Sequence, residues 1–373
     1  MFQIRMLTIV LSVFACIHFS SSITSAQIRT VLVSPVPGNP VASGTALQNA
    51  LAGISSPSDT NRWLLKIEPG IYDLQAGSLQ MRPSVDIEGS GINVTTIRSS
   101  TTTILGASNA ELRMLTVEAI GNGSPGSEVI AMFNENANPR SYRVKFKTQS
   151  TNSETWGMRN LSSAPKIEEC EFSVSGGTSL AKGLTFVNFV HTGERSSIVR
   201  SRIVVSGTGT MYGVWMLGGQ TLTEIQETRI EVSGADPIGI YANHLGNWLG
   251  NEVLALRNVE LKATGTSSSL GVYLDQGTTV GLDISYSKIE ALGNPNITRK
   301  GIFQAGSAVT FMRNSWLAGA SNTIQTTAPW ASFSLQSSAL VGGPATATGQ
   351  GAWNGCMGLW DENGTFYANG CPQ

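Results

Sequence analysis

Four aromatic residues stand at equivalent places in consecutive segments of this 373-residue chain: Trp215, Tyr241, Tyr273 and Phe303. Each lies two residues after a glycine, and the residue between is aliphatic: Val214, Ile240, Val272 or Ile302. In a strand, alternation puts these aliphatics on one face and the aromatics on the other. A row of exposed rings near Asn243, His244, Asp275, Gln276 and Gln304 has the makings of a carbohydrate-binding surface. Rings can meet the faces of sugars while amide, imidazole and carboxylate groups meet their hydroxyls. The same letters would also suit a second hydrophobic layer beneath a covering loop.

A second set of residues offers acid–base chemistry. Glu231, Glu260 and Glu290 recur with the same segments. If adjacent turns of the chain stack them, they lie about 5 Å apart, as do the two carboxyls of a retaining glycosidase. Like charges that close would raise one pKa, or could hold calcium. Arg202, Arg229 and Lys288 lie two positions before the corresponding sites, so a solvated ladder of ion pairs explains the pattern without catalysis. Glu231, Glu260 and Asp275 are therefore the candidates if a reaction occurs. His18 falls in the N-terminal segment, and His191 and His244 sit in turn-like sequence with no triad or metal pattern around them.

The elements that must position these residues form a repeat. A first strand recurs at Ile203–Val205, Ile230–Val232, Val259–Leu261 and Ile289–Ala291, so its anchors are 27, 29 and 30 residues apart. Upstream anchors are Leu115, Val144 and Phe172, and downstream ones are Leu317 and Leu340. Small residues precede most anchors by two positions (Cys170, Ser201, Thr228, Ser287, Ser315, Ser338), whereas Arg113, Tyr142 and Arg257 interrupt that column. A period of this length, with strand alternation inside each unit and no helical pattern between units, predicts a solenoid of stacked parallel strands. Ile203, Ile230, Val259 and Ile289 are expected to stack inward as one row.

Composition agrees with an elongated, weakly charged molecule. There are 41 glycines, 13% charged residues and a formal net charge of −1, which removes the electrostatic footprint of a nucleic-acid binder. Residues 1–26 read as an export signal: Arg5, an apolar run from Met6 to Phe19, then Thr24-Ser25-Ala26 before cleavage. Lipidation at Cys16 is the less favoured alternative. No later segment is long and apolar enough to predict a membrane span. Residues 27–62 read as an N-terminal cap with a short helix over Gly44–Leu51, capped by Ser43 or Thr45. Residues 63–342 form the solenoid and 343–373 a C-terminal cap. Asn93, Asn160, Asn296 and Asn363 begin glycosylation sequons.

The early helix is followed by the apolar strand Trp63–Ile67, the turn Glu68-Pro69-Gly70-Ile71-Tyr72 and then Val85-Asp86-Ile87-Glu88-Gly89-Ser90-Gly91. This opening resembles the right-handed parallel β-helix proteins of the pectin lyase-like superfamily, and the resemblance spans essentially the whole mature chain. It implies an all-β fold, a right-handed parallel β-helix of rungs about 27–31 residues long with an N-terminal capping helix. The superfamily includes lyases, hydrolases, esterases, adhesins and tailspikes. Motifs of individual activities, such as Gln-Asp-Thr-Leu, Gly-His-Gly or Arg-x-Pro-x-x-Arg, are absent. The C-terminal segment resembles a small cap of exported β-helix proteins. In such a compartment Cys356 and Cys371 are expected to pair, leaving Cys170 as an inert interior thiol.

The expectation is thus an exported protein that binds a polysaccharide or cell-surface glycan without catalysis. Its binding residues would be Trp215, Tyr241, Tyr273, Phe303, Asn243 and His244. No metal or cofactor is expected, with calcium as the exception if the chain is lyase-like. A polysaccharide lyase or hydrolase working on the outer face is the alternative, and a structural or adhesive spike the second. The assembly would be a monomer, or a trimer in the spike reading.

Overall fold

The computed structural model describes residues 28–369 except 122–126, 153, 177–179, 189–194, 219–221, 244–252, 277–280, 329–330, 348–351, 362 and 364. The expected export signal, Cys16, His191, His244 and Cys371 lie outside the described residues.

Most turns of the solenoid contribute three strands; in two of them the first two run together as Glu111–Ile120 and Arg140–Gln149. Around Ile203 the three are Ser196–Val199, Arg202–Ser206 and Thr210–Gly218, and the next turn lays Leu222–Gln226, Arg229–Gly234 and Asp236–Asn243 beside them. Neighbouring turns pair in parallel, and about nine turns follow one another, with 63% of the residues in strands. One unit has no second layer against which to bury its apolar face, so stacking supplies the core. A continuous row runs through it: Phe146, Phe172, Ile203, Ile230, Leu261, Ile289, Leu317 and Leu340.

That row corrects one expectation. Leu261, not Val259, lies between Ile230 and Ile289, and Val117 and Phe146 likewise replace Leu115 and Val144. Val259 stands instead in the column of small residues before the strand. A slip of two residues keeps every side chain on its face, so apolar alternation alone does not reveal it. The sequence did carry a sign: Arg113, Tyr142 and Arg257 broke the small-residue column in these same three units.

The corner between the first two strands explains that column. One residue there takes a positive φ of 47–53°: Arg200, Glu227, Asn258, Tyr286, Asn314 and Ser337. Apart from the asparagines these are unfavourable types for left-handed backbone. Their amides donate to a carbonyl in the next turn, as Glu227 does to Arg257 at 2.9 Å. The following residue turns inward and links turns through its hydroxyl. Ser201 Oγ accepts from the Cys170 amide, Ser287 from Val259 and Ser315 from Ser287, all at 3.0–3.1 Å. Cys170 is buried, and burial pushes its thiol up to about 12, so it is inert as expected.

Both ends are closed. The helix spans Pro40–Gly53 and is capped by Asn39, whose side chain accepts from the Ala42 amide at 3.0 Å. Ser43 and Thr45, the expected caps, lie inside the helix, where their hydroxyls donate back to Asn39 and Val41 carbonyls. Gly44 lets the helix lie directly on the strand Gly70–Asp73, because a Cβ there would meet the Asp73 oxygen at 2.1 Å. At the other end Ala352–Trp360 adds a last parallel strand and Phe366–Asn369 folds back antiparallel on it. Cys356 is buried in that strand. Among the described residues no helix is long and apolar enough to cross a membrane. The sequon residue Asn160 is fully buried, with its amide bonded to Asn134 and to the Thr185 carbonyl, so it is closed to glycosylation.

Candidate functional site

Six long strands, the third of successive turns, build one face: Glu154–Leu161, Leu180–Asn188, Thr210–Gly218, Asp236–Asn243, Ser268–Leu274 and Thr298–Gln304. Each contains a glycine: Gly157, Gly183, Gly213, Gly239, Gly271 or Gly301. At Gly239 a Cβ would lie 2.4 Å from the Leu261 side chain across the core and 2.6 Å from the Gly271 oxygen. Gly183, Gly213, Gly271 and Gly301 meet Ile203, Ile230, Ile289 and Leu317 in the same way. The glycine therefore lets this face press against the inward aliphatic row opposite. It also shifts the alternation, so that Gly213 and Val214 both face inward while Tyr212 and Trp215 both face outward. Two outward columns result, one before the glycine and one after it.

The column after the glycine holds Trp215, Tyr241, Tyr273 and Phe303 in direct register, all half-buried. Trp215 lies parallel to Tyr241 with centroids 6.2 Å apart, and Tyr273 stacks on Phe303 at 5.0 Å. Tyr241 meets Tyr273 edge-on at 5.3 Å. The rings thus spend much of their faces on one another.

Asp275 ties the hydroxyls together. Its Oδ2 accepts from Tyr241 at 2.7 Å and from Asn243 Nδ2 at 3.1 Å; its Oδ1 accepts from Tyr273 at 2.9 Å and from the Gln276 amide at 2.7 Å. Burial pushes the Tyr273 phenol up to about 12, and its bond to Asp275 adds to this. Tyr241 is raised by the same two causes. These tyrosines are neutral donors across the physiological range, and Asp275 positions them. Gln276 is exposed at the rim. Gln304, expected there, is fully buried and bonds the Ala308 carbonyl and Thr310, because it follows outward Phe303 by one residue.

Two lysines bracket the aromatic column. Lys300 Nζ lies 3.9 Å from the Phe303 ring centre at one end. At the other, Lys182 Nζ sits between Trp156 at 4.0 Å and Trp215 at 3.8 Å, with only 5% of the residue exposed. Burial lowers its pKa to about 8, against the opposing pull of Glu154 and Glu128 and with the help of Arg159. Arg159 in turn stacks on Trp156 and gives Nη1 to both Glu128 oxygens at 2.6 Å. Trp156, Lys182 and Tyr212 escaped the sequence reading although each immediately precedes its strand's glycine, a position as regular as that of the aromatics.

The carboxylate column does not form as expected. Glu231 is in register with Lys262, which is in register with Glu290, and Glu260 lies between Arg229 and Lys288. The two-residue slip at Val259 moves Glu260 out of line, so charges alternate from Glu231 through Lys262 to Glu290 and from Arg229 through Glu260 to Lys288. Glu231 receives Arg202 and Arg229 at 2.7 Å each, and Lys288 reaches Glu290 at 3.0 Å. Burial alone would raise the Glu231 carboxyl; hydrogen bonds from the two arginines hold it below the usual range. Glu231 and Glu260 share no carboxylate pair, and Asp275 stands on a different face. Among the described residues no three His, Cys, Asp or Glu side chains gather as metal ligands.

No protein-family model matches the chain, and no curated protein matches its sequence. Solved structures of similar shape include the A-module of the Azotobacter vinelandii mannuronan C-5 epimerase AlgE6, with 14% identity, 88% of each chain covered and a TM-score of 0.47. The catalytic domain of a GH87 α-1,3-glucanase is similar at 13% identity over 85% of this chain and 65% of that one, with a TM-score of 0.46. PfbA, a surface adhesin of Streptococcus pneumoniae, is similar at 8% identity over 88% and 93%, with a TM-score of 0.43. Identities this low carry no activity across. With its parallel strand columns, alternating interior and stacked turns, the chain is a parallel β-solenoid of about nine turns with one helix.

Proposed function

We propose that the long-strand face binds a glycan chain laid across the turns, along the edge of the Trp215–Tyr241–Tyr273–Phe303 column. The observation that carries this reading is the four-turn strip of half-exposed rings whose hydroxyls are held in place by Asp275 and Asn243. Strands about 4.8 Å apart repeat the contact at regular steps, which suits a polymer of repeating units. Preorganised side chains lower the entropy lost on binding. The sugar hydroxyls would meet Tyr241, Tyr273, Asn243 and Gln276, with ring edges supplying apolar contact. In this reading Asp275 acts through the tyrosines and the protein is a binder rather than a catalyst. The N-terminal segment then serves to export the chain to where polysaccharides are met, and a Cys356–Cys371 bridge would secure its C-terminal cap.

Self-stacking of the rings favours a second reading, in which the column is a structural spine on the solenoid. Hydroxyl-deleting substitutions separate the two. Tyr241→Phe with Tyr273→Phe keeps the rings and should weaken glycan binding about tenfold, measured by affinity electrophoresis against a panel of acidic and neutral polysaccharides. The melting temperature of the double variant should move little. Binding unaltered by the double variant, or none by the parent, with reducing ends and unsaturated products also unchanged, would favour the spine.

A further inference from the structure

Next to the aromatic strip lies a cluster of hydrogen-bond donors without acceptors. Trp156 Nε1, Arg159 Nε and Thr185 Oγ1 are each buried and unbonded. Lys182 Nζ, between the two tryptophan rings, has no hydrogen bond or ion pair to a described residue. The four residues are neighbours by register. Trp156 pairs with Lys182, Arg159 pairs with Thr185, and Thr185 pairs with Trp215 at the start of the aromatic column. Arg159 also lies over the Trp156 ring at 4.9 Å.

Native interiors rarely leave buried polar atoms unpaired, and several together need an explanation. An unpaired buried ammonium is more costly still. The missing partner has a definite chemistry. Three of the four groups can only donate, and the fourth is a hydroxyl that can, so the complement is a group that only accepts. The carboxylates nearby do not fill that role. Arg159 Nη1 engages Glu128, leaving Nε over, and Glu154 influences Lys182 only through space. Because two carboxylates and two cations nearly balance, bulk charge does not draw the ligand in. Selection rests on the number and direction of donors, which favours one oxyanion at a fixed place.

We infer that Trp156, Arg159, Lys182 and Thr185 form a subsite for an oxyanion substituent, a carboxylate or a sulfate, on a glycan held along the adjacent strip. This rests on the glycan-binding reading and narrows it to acidic polysaccharides. Lys182, buried against Trp215, would join the two parts of the site. A ligand oxyanion beside it favours its charged form, so binding should take up protons near pH 8.

The test compares matched glycans on the full-length protein by titration calorimetry. An oligogalacturonate is set against its methyl ester, and dextran sulfate against dextran, so that each pair differs in the anionic group. The expected result is binding at least tenfold tighter for one anionic member than for its neutral partner, with proton uptake at pH 8 shown by titration in buffers of different ionisation enthalpy. Lys182→Gln and Lys182→Met should each remove that advantage and the proton uptake while leaving neutral-glycan affinity within about twofold. The preferred pair tells carboxylate from sulfate. Equal affinity for both members of both pairs, or an anionic preference that survives both substitutions, overturns the subsite and leaves the glycan-binding strip standing. Failure of all four glycans to bind overturns both.

Discussion

A lysine enclosed by two tryptophans gives up stability for its position. Lys182 has an ordinary pKa of 10.5 and a value of about 8 in the fold, so the folded state favours its neutral form. Between pH 8 and 10.5 the unfolded chain holds this proton and the folded chain does not, so stability rises with pH across that window. Below pH 8 both states hold it and the full penalty remains, at most about 3 kcal/mol from the size of the shift. Lys182→Met keeps the length of the side chain without the charge. It should raise stability at pH 7 by about 2 kcal/mol, read from urea denaturation, and abolish the rise between pH 8 and 10.5. A less stable variant, or one with an unchanged pH profile, would show that Lys182 is better solvated than its 5% exposure indicates.

Among the elements, the long strand depends on its glycine. Gly239 stands where an added methyl would meet both the Leu261 side chain and the Gly271 backbone, and neither can withdraw without moving a whole turn. Gly239→Ala should cost about 3 kcal/mol through overpacking. Gly53 has open space around it and provides the control, with Gly53→Ala expected within about 0.5 kcal/mol of the parent. Denaturation midpoints at constant m would check the pair; equal effects would mean that the glycine column is not a steric requirement. The same element makes the site, since the inward step at glycine leaves Tyr212 and Trp215 both facing outward.

At the scale of the whole molecule, a solenoid is held by contacts between adjacent turns and is vulnerable at its ends. The helix Pro40–Gly53 buries Leu47 and Leu51 over the first turns, together with Tyr72, whose hydroxyl bonds the Val33 and Glu68 carbonyls. Leu47→Asp should loosen this cap and expose sheet edge and core together. Light scattering should show concentration-dependent association of the variant, while the solenoid keeps its strand signature at low concentration by circular dichroism. A variant that stays monodisperse would show that the first turns protect their own end.

Much of this could be read from the letters, because a solenoid repeats its packing problem in every turn. The apolar row, the small-residue column, the glycines and the outward aromatics recur at nearly constant spacing, and each has one physical use in a stack of parallel strands. What the letters left open was register. Val259 and Leu261 lie on the same face, so the sequence allowed either into the core row, and the choice decided whether Glu260 met acids or bases. The fold settled it by placing Asn258 at the left-handed corner, level with Glu227 and Tyr286. Only the tertiary structure brought Lys182 between Trp156 and Trp215, since these residues come from three different turns. Only it showed ring faces turned on one another. Period and alternation are local properties of a strand, whereas contacts between turns depend on how neighbouring loops shift each strand against the next.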